Sequence, residues 1–180
     1  AQALEDPLPV PVVWNSGGYD LVETLAALEG KIQIYLPDYK YTDPDTARRY
    51  AGAADYPETA RAAIREMVRQ TGPYQLDENG ILTRGVILRH LLLPGGLNQA
   101  KEVMDWVAET FPPHTILFSL MSQYTPWGKA ADYPPLDRRL RKSEIRAAEA
   151  YFTNLGLDGF TQGVEAAQAD YIPSFDLTGV

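Results

Sequence analysis

The sequence predicts an α/β fold in which parallel strands alternate with helices, and three observations carry that expectation. Four runs, Val10–Trp14, Ile32–Leu36, Val86–Leu93 and Thr115–Met121, are almost continuously apolar, as strands buried on both faces are. Between them lie segments whose apolar residues recur at helical spacing. Several of these segments run into a glycine stop, which closes each unit before the next strand begins.

The elements follow in order. Val10–Trp14 is the first predicted strand and ends in Asn15-Ser16-Gly17-Gly18, which reads as an ordinary turn. Leu21–Leu28 is apolar along one face and stops at Gly30. The second strand, Ile32–Leu36, runs into Asp38-Tyr39-Lys40. Asp43-Pro44 opens a short helix as N-cap and first-turn proline. Pro57–Gln70 carries Ala60, Ala63, Ile64, Met67 and Val68 at helical spacing, with Gly72 beyond it. Glu78-Asn79-Gly80, between Tyr74–Leu76 and Ile81–Thr83, predicts a small hairpin inserted before the third strand. Asn98 is expected to cap a helix through Phe111, with Ala100, Val103, Val107 and Phe111 inward. Ser143 is expected to cap the last helix, with Ile145, Ala148, Phe152 and Leu155 inward and Gly156 ending it. Residues 1–180 are read as one domain, wound as right-handed βαβ units. Ala1-Gln2-Ala3-Leu4-Glu5 is helix-forming sequence without an N-cap or initiator methionine, so the expectation is a fragment of a longer protein.

Composition excludes several classes of function. Sixteen basic against 24 acidic residues give a net charge of −8, which opposes the phosphate contacts that drive nucleic-acid binding. The short basic cluster Arg138-Arg139-Leu140-Arg141-Lys142 reads as a solvated helix start. The longest apolar stretch is too short to span a bilayer and no charged-then-apolar leader opens the chain, so the expectation is a soluble, cytoplasmic protein. With no cysteine, the chain itself has no disulfide, thiolate nucleophile or cysteine-ligated cluster. The two histidines, His90 and His114, are isolated, and no metal-ligand spacing is present. There is no Ser-His-Asp arrangement, phosphate loop or dinucleotide fingerprint.

Candidate binding residues cluster at the predicted strand ends, where α/β folds present polar groups to ligands. With a period of two, Ile34, Leu36, Asp38 and Lys40 share one face. The alternatives are a ligand site and a strand that simply leaves the core into solvent. In the third strand, Arg89 and His90 fall on opposite faces. Arg89 cannot lose its charge among aliphatic neighbours and needs a partner, either Asp38 or an anionic ligand. His90 reads as a hydrogen-bonded packing residue. Ser119, Met121 and Gln123 share a face polar enough to line a cavity. Tyr124, Trp127 and Tyr133 read as cover for the following loop rather than as a lid.

Taken in order, Val13-Trp14-Asn15-Ser16-Gly17-Gly18-Tyr19, Tyr35-Leu36-Pro37-Asp38-Tyr39-Lys40-Tyr41, Glu66-Met67-Val68-Arg69-Gln70, Gly85 through Gly95 and Leu120-Met121-Ser122-Gln123-Tyr124 resemble one family across essentially the whole chain. That family is the radical S-adenosylmethionine (radical SAM) proteins of the pyruvate formate-lyase activating type.

The resemblance implies a partial (β/α)6 TIM-like barrel comprising strands three to six of the complete enzyme. It implies S-adenosylmethionine and a [4Fe–4S] cluster as cofactors, the cluster held by a Cys-x3-Cys-x2-Cys motif that this chain lacks. It matches Asp38 and Lys40 to residues that contact the amino-acid moiety of S-adenosylmethionine, and Arg89 to an arginine beside that site. Asn15 and Gln123 match by strand-end position alone.

The activity implied for the complete enzyme is reductive formation of a 5′-deoxyadenosyl radical that abstracts a hydrogen, with the protein orienting the cofactor and excluding water. Implied partners are a glycyl-radical enzyme or other protein substrate and an electron donor such as flavodoxin or ferredoxin. The cysteine-free fragment is expected to be inactive alone and, with Val10–Trp14 as an open sheet edge, prone to self-association. A cofactor-free sugar- or metabolite-binding domain, with Asp38, Trp127 and tyrosines forming its pocket, is the alternative.

Overall fold

A computed structural model describes residues 10–162. The helix-forming segment expected at the start lies outside them. The elements are β1 (Val13–Ser16), α1 (Val22–Ala26), β2 (Ile34–Pro37), α2 (Pro44–Ala51), α3 (Tyr56–Thr71), β3 (Gln75–Leu76), β4 (Leu82–Leu91), α4 (Leu97–Thr110), β5 (Ile116–Met121), a 3-10 turn (Gly128–Asp132), α5 (Lys142–Leu155) and β6 (Gly159–Gln162). The sheet order is β1-β2-β4-β5-β6, with β3 attached to β4. All neighbours on the main path are parallel. Strands added in chain order with helices between them give the progressive winding of a partial β/α barrel. Among the described residues, β1 and β6 are the two edges.

Among the described residues six strands stand where four apolar runs and a small hairpin were expected. The second arm of the predicted hairpin is not separate: β4 begins at Leu82, and β3 pairs antiparallel with its first residues. Asp77 fixes the turn by accepting the backbone N–H groups of Asn79 and Ile81 at 2.9 and 2.8 Å. The strand β6 has no apolar run to announce it. Its place depends on Gly159, where a Cβ would stand 1.9 Å from the carbonyl oxygen of Phe118, so only glycine lets the chain approach β5 there.

Helix α2 starts as the sequence indicates, with Asp43 accepting the Thr46 N–H at 2.8 Å and Pro44 in the first turn. Two other starts differ. Gly96, not Asn98, precedes α4, and Arg141, not Ser143, precedes α5. In α5 the reason is Glu144, which accepts the Arg141 N–H at 2.8 Å and so closes the first turn from within.

The sheet has two unlike faces. On one, Tyr35, Val86, Leu88, Phe118 and Leu120 are buried against the helices. Phe118 packs on Phe152 of α5 at 5.8 Å, and the Tyr35 hydroxyl donates to Gln70 of α3 at 2.6 Å. The inward residues expected of α3, α4 and α5 are buried or packed on this core, among them Ala60, Ile64, Val103 and Phe152. The opposite face carries Val13, Asn15, Leu36, Ile87, Arg89, Leu117 and Phe160 and is only partly covered: Val13 and Phe160 are 47% and 44% exposed. Parallel register sets these residues side by side, Val13 beside Ile34 and Ser119 beside Phe160. No helix among the described residues is long and apolar enough to cross a membrane.

Candidate functional site at the carboxyl strand ends

The parity argument places Asp38 and Arg89 correctly. The β2–β4 pairing continues one step beyond β2 as an Asp38–Arg89 bridge, so the two side chains leave the sheet on the same, open face. Arg89 Nη2 lies 2.7 Å from Asp38 Oδ1 and donates at 2.7 Å to Asn15 Oδ1 at the end of β1. Lys40 Nζ stands 3.6 Å from Asp38 Oδ2. Four of the five predicted residues, from three strand ends, therefore meet at one point. Gln123, beyond β5, joins none of these contacts.

The contacts leave hydrogen-bonding capacity unused. The Arg89–Asp38 separation is that of an ion pair, but its angle does not satisfy Oδ1 as an acceptor. Asp38 Oδ1, Arg89 Nε and Gln123 Oε1 are buried without a hydrogen-bond partner. Buried donors and acceptors of this kind are costly when nothing completes them.

The strand-end loops are locked by a residue that the sequence did not single out. Tyr56, at the start of α3, has its hydroxyl 2.9 Å from Gly17 O and 3.0 Å from Asp38 O, and it accepts the Lys40 N–H at 2.9 Å. Burial is the main cause that pushes its phenol well above the usual range, so it stays a donor. Gly17-Gly18 is more than an ordinary turn. Gly18 has φ 78°, and a Cβ there would meet Asp38 O at 2.0 Å. A tyrosine at a helix start carries no sequence signal of this role, whereas the Gly-Gly pair was a usable hint.

His90 points away from the cluster into the helix layer. It is buried, and its Nδ1 donates to Tyr39 O at 2.7 Å, which fixes the tautomer. Burial lowers its pKa, opposed by that backbone bond and by Asp38. It is the packing residue the sequence suggested.

Beside Asp38 and Lys40 opens a cleft of ≈540 Å³. Leu91, Leu93 and Met121 give it an apolar floor, and Tyr41, Tyr50, Tyr124 and Tyr133 form its walls. Trp127 and Lys129 also line it, and Trp127 is 69% exposed. The aromatic residues after β5 were read as loop cover; they line the cleft instead, because the strap they belong to turns back over the strand ends. Of the cavity face predicted on β5, Met121 reaches the floor, and Ser119, beside Arg89 and Phe160 on the open face, is buried and does not line the cleft.

Glu144 anchors the strap. It accepts from Arg138 at 2.8 and 2.9 Å and from the Gly95 N–H at 2.8 Å. The Arg138 bonds are the largest cause that holds the Glu144 carboxyl at about 2. Arg138 is thus a structural partner, not part of a merely solvated basic cluster.

No family model matches the chain. An uncharacterized protein of Methanocaldococcus jannaschii is 29% identical over 150 residues, which make up 83% of this chain and 40% of that protein. The chain therefore spans well under half the length of that relative. A crystal structure of a domain of pyruvate-formate lyase-activating enzyme from Bacteroides vulgatus superposes with a TM-score of 0.55 at 15% identity, covering 78% of this chain and 74% of that one. A radical SAM methyltransferase from Sphaerobacter thermophilus gives 0.50 at 17% identity, covering 85% of this chain and 41% of that one. At such identities the likeness establishes the fold: a partial radical SAM-type β/α barrel.

Proposed function

We propose that this chain is the C-terminal, ligand-contacting part of a radical S-adenosylmethionine enzyme, forming a single domain over residues 1–180. The observation that carries the reading is the convergence of Asn15, Asp38, Lys40 and Arg89 at the carboxyl strand ends, with buried polar atoms left unpartnered beside a cleft that Asp38 and Lys40 line. The fold and the length of the Methanocaldococcus relative support it.

The residues present fit S-adenosylmethionine and do not fit the cluster. The amino-acid end of S-adenosylmethionine carries an ammonium and a carboxylate. Lys40 is exposed enough to reach the carboxylate as a mobile point charge, and Asp38 is an acceptor for the ammonium. Arg89 pairs with Asp38 and holds it in place, while Asn15 accepts from Arg89 and orients it. Gln123 is assigned to the same cofactor by its strand-end position and its free Oε1. Bound there, S-adenosylmethionine would supply the one-electron chemistry of the family. A [4Fe–4S] cluster needs thiolates, and this chain has none; among the described residues no His, Asp and Glu group could hold a metal either. In this reading the ligands of a cluster belong to polypeptide outside the chain.

The finer reading is an activating oxidoreductase acting in the cytoplasm on a glycyl-radical enzyme or another protein, fed by flavodoxin or ferredoxin. It leans on the activating-enzyme domain among the structural neighbours. The chain alone would then be inactive.

Calorimetric titration with S-adenosylmethionine tests the site. The wild-type chain should bind it weakly, and Lys40→Ala should weaken binding about tenfold by removing one charge-assisted contact. Unchanged affinity in Lys40→Ala removes that residue from the site. Absence of binding to both the chain and its full-length parent would favour a cofactor-free metabolite-binding domain.

A further inference from the structure

We infer that the strap end of the cleft is a substrate site for a small anionic molecule bearing a planar ring. This deepens, and rests on, the reading that the strand-end cluster holds the cofactor. It commits to a small molecule, whereas the activating-enzyme reading would call for a polypeptide.

Charge is the first argument. The groups lining the cleft include two ammoniums, Lys40 and Lys129, and one carboxylate, Asp38. Asp38 is already countered by Arg89 at 2.7 Å. The cleft therefore carries surplus positive charge in a protein of net charge −8, and such a local reversal selects an anion. If Lys40 is committed to the cofactor, Lys129 on the strap is the cation left for a second ligand.

The wall supplies the second argument. Tyr41 and Tyr50 lie 6.1 Å apart, and Tyr50 and Tyr133 meet edge to face at 6.0 Å, which makes a continuous aromatic surface. The Tyr124 hydroxyl is spent on Leu136 O at 2.7 Å, so that residue offers its ring and not a donor. Trp127 lines the same space and stands mostly in water, so its indole face is open for a flat ligand to stack on. The volume of ≈540 Å³ lies within the usual range for small-molecule pockets.

Phenylphosphate and benzyl alcohol form a matched pair of probes, the same ring with and without the anion. Titrations of the chain followed by NMR, with S-adenosylmethionine titrated in parallel, test the assignment. Phenylphosphate should bind about tenfold tighter than benzyl alcohol, and Lys129→Glu should abolish most of that difference. Lys129 and Trp127 are exposed, so their variants should fold. Trp127→Ala should weaken both probes, and Lys129→Glu should leave S-adenosylmethionine affinity unchanged. Equal binding of the two probes, or phenylphosphate binding indifferent to Lys129→Glu, overturns the inference. Simple competition between phenylphosphate and S-adenosylmethionine also overturns it, because the cleft would then be the cofactor's own seat. If the probes behave as expected while S-adenosylmethionine binds neither the chain nor its full-length parent, the ligand selectivity stands and the radical SAM reading falls.

Discussion

Arg89 Nη2 and Asp38 Oδ1, 2.7 Å apart, tie the end of β2 to the carboxyl end of β4 on the open face of the sheet. Their side chains are 26% and 20% exposed, so the pair is neither a surface contact nor fully desolvated. Removing one partner should cost more than removing both, because a lone charge would remain among aliphatic neighbours. Arg89→Met should destabilise the fold by about 2 kcal/mol, and Asp38→Asn combined with it should recover part of that loss. Urea unfolding of the single and double variants measures the coupling. Strictly additive losses would mean that the two charges are solvated independently.

Glu144 gives a second test, through pH. Its carboxyl is held at about 2 against an ordinary 4.5, chiefly by Arg138. The folded state thus favours the ionised form, and the stabilisation is present in full above pH 4.5 and lost as the pH falls toward 2. Allowing for solvent around the pair, Glu144→Gln should cost about 1–2 kcal/mol at pH 7 and little at pH 2.5. Melts at the two pH values check it, and an equal loss at both would show that the charge is irrelevant to holding the strap.

Much of the architecture was legible because the signals were strong and local. Buried parallel strands read as apolar runs, and parity alone put Asp38 and Arg89 on one face and His90 on the other. The same approach missed β6, whose pairing depends on a backbone approach that only Gly159 permits and not on side-chain pattern. It also misplaced the starts of α4 and α5, where the capping groups are a glycine and an internal glutamate. Tyr56 escaped notice because its partners, Gly17, Asp38 and Lys40, are backbone atoms brought close only by folding. The aromatic strap was visible as composition, but its turn over the strand ends was not.

The edge strand β1 makes a further prediction. It pairs only with β2 among the described residues, and Val13 on its open face is 47% exposed. An unpaired edge beside exposed apolar surface is a template for association. Sedimentation should show concentration-dependent self-association of the chain, and Val13→Lys should weaken it, because a charge on an edge strand discourages pairing. A wild-type chain that stays monomeric at high concentration removes β1 as an association surface.

His90 yields the last prediction. It is 1% exposed, and burial depresses its pKa from the ordinary 6.5. Above that value both folded and unfolded chains hold the imidazole neutral, so it contributes no pH dependence. Below it the unfolded chain takes up a proton that the folded chain refuses, and stability falls with pH at up to about 1.4 kcal/mol per unit. The loss continues down to the folded pKa and then levels off. His90→Gln cannot titrate, and its amide can still donate to Tyr39 O, so the variant should be less stable at neutral pH but flatter between pH 7 and 5.5. Denaturant unfolding across that window compares the two slopes. Identical slopes in wild type and variant would mean that the buried imidazole accepts a proton in the folded state as easily as in water.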